Sequence, residues 1–156
     1  MKLRLIAAGT RMPGWVTQGF EDYRKRLPPQ LKLELVEIEV AHRGKNADIA
    51  RLKSAEAQSL LRAVRDDDRV IVFDECGEKR STVEWANALK QWMQDGRDVA
   101  LLIGGPDGLA PEILQRAEKR WSLSPMTLPH ALVRVLVAEQ LYRAWSLLSN
   151  HPYHRA

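Results

Sequence analysis

Apolar and polar positions follow one another in short blocks whose period switches between two and about 3.6, the pattern of strands alternating with helices. Residues 2–8 form an apolar run around Arg4 and predict a buried first strand. Gly9 and the turn Met12-Pro13-Gly14 then release the chain into a helix that ends before Pro28-Pro29. Over residues 31–40 the apolar positions run Leu31, Leu33, Leu35 and then change phase to Val36, Ile38, Val40, which predicts a second strand with a bulge or twist near Val36. After the polar stretch His42-Arg43-Gly44-Lys45-Asn46, a helix is predicted over 47–65, with Ile49, Leu52, Ala55, Leu60 and Ala63 on one side. Asp66-Asp67-Asp68 ends it.

Residues 69–73 read as a short apolar strand. Ser81 can cap a helix running to about 94, with Glu84 at the capping-box position and Asp95-Gly96 as the stop. The unbroken apolar run at 98–103 predicts a strand covered by helices on both faces. It is followed by the turn Gly104-Gly105-Pro106-Asp107-Gly108, a helix over 111–119, a brief strand at 121–123 and a final helix over 130–149. No repeat, low-complexity tract or linker interrupts the series. The expectation is one α/β domain, residues 1–156, with a mostly parallel sheet flanked by helices.

The final helix is apolar on two sides. Val133, Leu136, Leu141, Ala144 and Leu148 form one face; Val135, Ala138, Tyr142 and Trp145 form the other. A helix on the outside of a sheet buries only one face, so the second predicts a homodimer contact. Burial of both faces within one chain is the alternative.

Composition narrows the class. At 156 residues, 45% hydrophobic and 28% charged, the chain can build its own core. No stretch approaches the roughly 20 apolar residues of a membrane span, so no membrane partner is expected. Cys76 is the only cysteine and no small-residue cleavage site follows the first apolar run, which together predict a cytoplasmic protein. The net charge of +4 is carried after residue 115, where Arg116, Lys119, Arg120, Arg134, Arg143 and Arg155 face only Glu118 and Glu139. Such an excess favours polyanions, because each phosphate neutralised releases a counterion. An ordinary solvated surface has the same composition.

In parallel α/β sheets, ligands bind beyond the carboxyl ends of the strands, which directs attention to the turns after Phe73, Ile103 and Leu123. In the second of these, glycines permit close backbone approach and Pro106 stiffens the bend. The G-x-G-x-x-G dinucleotide fingerprint is missing, since Ile103 stands at its first glycine, and there is no Walker-type G-K-[ST]. The third turn, Leu123 through His130, holds Pro125 and Pro129 with Ser124 and Thr127. Met126 and Leu128 suit an adenine ring there, or else fill the core of a rigid loop. The tail Asn150-His151-Pro152-Tyr153-His154-Arg155 gathers a ring for stacking, an imidazole that titrates near neutral pH and a cation for phosphate. Two histidines three apart without a thiolate or further ligands do not make a metal site, and none is expected.

Taken together, LLIGGPDGL, SLSPMTLPHALVRVLVAEQLYRAW and NHPYHR resemble the RlmH family of ribosomal RNA methyltransferases. The opening MKLRLIAAGTRMPGWV and the RGKNADI segment extend the resemblance over essentially the whole chain. It implies a SPOUT fold with a C-terminal trefoil knot, a homodimer, S-adenosyl-L-methionine as cofactor and 23S rRNA within the ribosome as partner. The substrate it implies is ring nitrogen 3 of a pseudouridine in the helix 69 loop. By the same resemblance the cofactor lies against Phe73, Gly105 and the loop Leu123, Ser124, Pro125, Met126, Thr127 and Leu128. Phe73 departs from the aliphatic residue expected there. His154 is the candidate proton acceptor, Arg155 or Arg134 would stabilise the developing imide anion, and Arg134, Tyr153 and Arg155 would contact RNA. A nucleotide-dependent oxidoreductase and a noncatalytic ribosome-binding factor are the competing readings; the missing fingerprint argues against the first.

Overall fold

The computed structural model describes residues 1–40, 44–105 and 107–154. His42, Arg43, Pro106 and Arg155 lie outside the described residues. The elements run β1 (Lys2–Ala8), α1 (Gly14–Arg24), β2 (Lys32–Ile38), α2 (Ile49–Arg62), β3 (Arg69–Lys79), α3 (Thr82–Asp95), β4 (Val99–Ile103), α4 (Pro111–Arg116), β5 (Lys119–Ser122), α5 (His130–Leu148) and a 3₁₀ turn (Pro152–His154). The strands form one parallel sheet in the order β2-β1-β4-β3-β5. Successive side chains of a strand point to opposite faces, so Leu3, Leu5 and Ala7 pack on one side beneath Phe20 of α1, Leu89 of α3 and Leu141 of α5. Ile6, Val70, Val72 and Leu102 pack on the other, beneath Leu60 of α2 and Ile113 of α4. Among the described residues, no helix is long and apolar enough to cross a membrane.

The phase change in β2 is not a bulge. Its pairing with β1 runs unbroken from Lys2–Lys32 to Ala8–Ile38. Leu33 and Leu35 pack into the first helix layer and Val36 and Ile38 into the second. The sequence therefore records which face of this edge strand is covered at each point.

On α2, whose N-cap Asp48 accepts from the Arg51 N–H at 3.2 Å, the buried residues are Glu56, Ala57 and Leu60, while Ile49 and Ala55 are exposed. A carboxylate thus occupies a position for which periodicity nominates apolar residues. The strand expected to stop at Phe73 continues to Lys79, with its register against β5 broken between Phe73 and Glu78. Gly77 makes the return possible: a Cβ there would lie 2.7 Å from the Arg120 carbonyl oxygen. Gly77→Ala is accordingly expected to cost about 1–3 kcal/mol through forced displacement of β5, read as a lower urea midpoint with unchanged slope.

Helix α5 lies between α1 and α3. Gly19 of α1 brings that helix so close that a Cβ would stand 3.2 Å from Val135, and Thr82 of α3 donates to Gln140 at 2.8 Å. Val137, Ala138, Leu141 and Ala144 are fully buried, and Tyr142 nearly so. Much of the second apolar face is therefore covered within the chain, the alternative to a subunit contact. Beneath the other layer, Arg4 and Asp68 form a buried ion pair, and Arg4 Nη1 also donates to the Ala63 carbonyl at 2.6 Å, where α2 ends.

Candidate active site

The break in β3 makes residues 74–77 stand out of the sheet, and Asp74 and Glu75 of this bulge line a cleft of about 520 Å³. That volume is within the ~300–1,000 Å³ usual for small-molecule sites. The turn after β4 forms a second wall with Gly104, Gly105 and Gly108, and the segment between β5 and α5 forms a third with Leu123, Ser124, Met126, Thr127 and Leu128. The three turns picked out by the strand-end rule thus meet at one place. Of the residues nominated for the cofactor, Phe73 and Gly105 also line the cleft, and Pro125 does not.

Local hydrogen bonds hold the third wall. Ser122 Oγ donates to the Ser124 carbonyl at 3.0 Å, Ser124 Oγ accepts from the Met126 N–H at 2.9 Å, and Thr127 Oγ1 donates to Glu75 Oε2 at 3.2 Å, tying the loop to the bulge. Met126 is 68% exposed at the mouth. Phe73 is mostly buried, with its ring stacked on Trp85 at a centroid distance of 5.6 Å. The glycine turn is braced by a bond from the Gly108 N–H to the Gly105 carbonyl at 3.1 Å. A Cβ at Gly104 would lie 2.9 Å from the Gly108 carbonyl oxygen, so this glycine serves the turn itself. At Gly105 the space is filled by Glu56, whose Oε1 would be 2.9 Å from a Cβ. Gly105 thus both lines the cleft and lies against Glu56.

Sequence reasoning missed Lys53, Asp107, Arg120 and His130, which also line the cleft. Asp74 and Glu75 were within reach of the strand-end rule, since they directly follow the apolar part of β3. Lys53 lies on α2, far from any strand end, and carried no signal. Arg120 pairs with Asp74, Arg134 with Glu37 and Arg143 with Glu139, so the cations after residue 115 do not form one unneutralised surface. Among the described residues, no group of three His, Cys, Asp or Glu side chains could hold a metal ion.

Three nominated residues lie elsewhere. Arg134 is 1% exposed; it pairs with Glu37 at 2.7 Å and donates to the Gly9 carbonyl at 2.7 Å. Its guanidinium ties the end of β1 to α5 and is not presented to RNA. Tyr153 packs on Tyr142 at 4.5 Å, with Arg143 over its ring at 4.9 Å, and its hydroxyl donates to Glu139 Oε1 at 3.1 Å. Burial first, then hydrogen bonding with Tyr23 and the Glu139 charge, pushes the Tyr153 phenol far above the usual tyrosine range, so it stays neutral. The ring anchors the tail where free stacking was expected. His154 is half-buried on the adjoining 3₁₀ turn, and its Nδ1 is buried without a hydrogen-bond partner among the described residues. Arg155 lies outside the described residues.

Comparison with known proteins places the chain among methyl-transfer enzymes. A family model described as "Predicted SPOUT methyltransferase" matches residues 1–154. A protein of Chromohalobacter salexigens named "Ribosomal RNA large subunit methyltransferase H" is 58% identical over 99% of this chain and 100% of its own length. A Pseudomonas putida protein of the same name is 55% identical over the same shares. Among solved structures, a probable methylase family protein from Haemophilus influenzae Rd KW20 superposes with a TM-score of 0.58 at 16% identity, over 99% of this chain and 70% of that one. A probable methyltransferase from Bordetella pertussis Tohama I gives 0.56 at 18%, over 91% and 95%. The structural likenesses establish the fold, the sequence matches establish descent, and the chain belongs to the SPOUT methyltransferase family.

Proposed function

We propose that the protein transfers a methyl group from S-adenosyl-L-methionine to ring nitrogen 3 of a pseudouridine in the helix 69 loop of 23S rRNA, acting as a cytoplasmic homodimer on the assembled ribosome. The observation that carries the reading is the meeting of the β3 bulge, the glycine turn and the loop 123–128 at one cleft. Relatives named for methylation of large-subunit ribosomal RNA support it. In this reading the C-terminal segment is threaded as a trefoil knot, a rare exception among folds.

The donor set suits this cofactor. Ile103, Leu123 and Leu128 offer an apolar wall for a flat base, while Asp74, Glu75, Asp107 and Lys53 offer charges of both signs for a zwitterionic amino-acid end. When bound, the cofactor supplies a methyl group already activated by its sulfonium. The protein's part is to exclude water, fix the line of attack and remove the proton from the base nitrogen. Phe73, Gly105 and Leu123, Ser124, Met126, Thr127 and Leu128 form the cofactor side. In this reading His154 accepts the proton, and Arg155 stabilises the imide anion.

The cleft touches the first turn of α5 through His130 and Val133, while the tail lies along the middle and second half of that helix, where Tyr153 meets Glu139, Tyr142 and Arg143. In this reading the homodimer rests on the resemblance to the RlmH family.

Calorimetry with S-adenosyl-L-methionine and nucleoside analysis of ribosomal RNA test the reading. The chain should bind the cofactor with no competition from NAD, and RNA from cells lacking the gene should lose one N3-methylated pseudouridine. An unchanged nucleoside profile would overturn it.

A further inference from the structure

Glu56 is 6% exposed, yet no step of the reaction above uses it. It projects from the buried face of α2 and accepts the Gly105 backbone N–H through Oε1 at 3.0 Å. Its two carboxylate oxygens would stand 2.9 and 3.0 Å from a Cβ at Gly105, so the carboxylate lies directly against that residue's backbone. Burying a carboxylate is costly unless it is well paired, and an apolar residue at the same point of a helix face would be the ordinary choice. Among the contacts the carboxylate makes is a hydrogen bond from the Gly105 N–H, the peptide that begins the turn. The turn is then held twice. The Gly108 N–H closes it from within, and Glu56 fixes it to α2 from outside.

We infer that Glu56 is a positioning residue that presets the Gly104–Gly108 turn for the cofactor; this rests on the assignment of the cleft to S-adenosyl-L-methionine. One consequence changes the picture of how bare backbone meets the ligand. The Gly105 N–H points to Glu56 and is not available to the cofactor, which is left to the other groups of the turn and the cleft. Because Lys53 precedes Glu56 by one helical step on α2 and lines the cleft, the helix that fixes the turn also contributes to the wall beside it. A turn that must bind without reorganising benefits from such outside support, since freedom lost before binding does not weaken it.

The test uses the full chain and three forms: wild type, Glu56→Gln and Glu56→Ala. In cofactor-free wild type, the Gly105 amide should exchange with solvent at least about tenfold more slowly than an open loop amide, as expected for a bonded backbone group. Glu56→Gln keeps an acceptor oxygen and should bind S-adenosyl-L-methionine within about threefold of wild type. Glu56→Ala should bind about ten- to hundredfold more weakly when measured where thermal scans show it fully folded, the range expected for losing a charge-assisted bond. Fast exchange of the Gly105 amide in wild type, or wild-type affinity in folded Glu56→Ala, overturns the proposal. Should the alanine variant not fold, the amide exchange of wild type and the affinity of the glutamine variant decide. If wild type itself takes no S-adenosyl-L-methionine, the functional reading fails, while the exchange rate still reports whether Glu56 holds the turn.

Discussion

Asp68→Ala is expected to lower the unfolding free energy by about 3–5 kcal/mol, the range for removing one partner of a buried ion pair. Arg4 and Asp68 are 5% and 2% exposed, and each makes further bonds that fix it in place. Asp68 also accepts the Arg65 N–H at 2.8 Å, while Arg4 donates to the Ala63 carbonyl, so the pair closes the end of α2 onto β1. Removing the carboxylate leaves a guanidinium buried with one backbone acceptor and frees the turn that leads into β3. Urea unfolding followed by circular dichroism measures the loss. Replacing both partners, as Arg4→Met with Asp68→Leu, should recover most of it, because well-packed apolar residues carry no desolvation cost. A loss below about 1 kcal/mol for Asp68→Ala would mean that water reaches the pair.

Ending the chain at Ser149 is expected to reduce methylation of ribosomes by at least about 10²-fold, the lower end of what a positioned proton acceptor contributes. Cofactor affinity should change little, since every residue that lines the cleft precedes that point. The truncation also removes Tyr153 from the cluster it forms with Tyr142, Tyr23 and Arg26, so a modest fall in thermal stability should accompany it. His154→Ala separates the two effects, because it leaves Tyr153 in place and should lower turnover more than ribosome affinity. Single-turnover assays on intact ribosomes, with calorimetry in parallel, decide. Methylation by the shortened chain at the full rate would remove the tail from the mechanism.

The strands β1 and β4 and the helix α3 could be read directly because local pattern and burial agree in them: continuous apolar runs lie at the centre of the sheet, and Ser81 with Glu84 forms the expected capping box. Elsewhere the deciding partner is distant in sequence. The second half of β3 contains Asp74, Glu75 and Glu78 and looks like a loop until β5 arrives to pair with it. Glu56 resembles a solvated helix residue until Gly105 is placed above it. Arg134 resembles a surface cation, and its acid, Glu37, is 97 positions away. The strand-end rule found the three cleft walls, since they are properties of turns. It could not find Lys53, which reaches the cleft, or Glu56, which reaches the glycine turn, because both depend on the packing of α2.

The strand order also governs when the fold can form. β4 lies between β1 and β3, and the Lys2 N–H bonds to Asp98 across 96 positions of sequence. A growing chain that has made β1, β2 and β3 therefore has no completed sheet, and its two apolar faces must wait for β4 to emerge and insert. Structure dominated by such distant pairings forms slowly and exposes strand edges meanwhile. Refolding from urea should accordingly be slow and prone to aggregation at high concentration. Chains arrested before residue 99 should behave as collapsed, protease-sensitive species, with native protection appearing only after the centre of the sheet has left the ribosome.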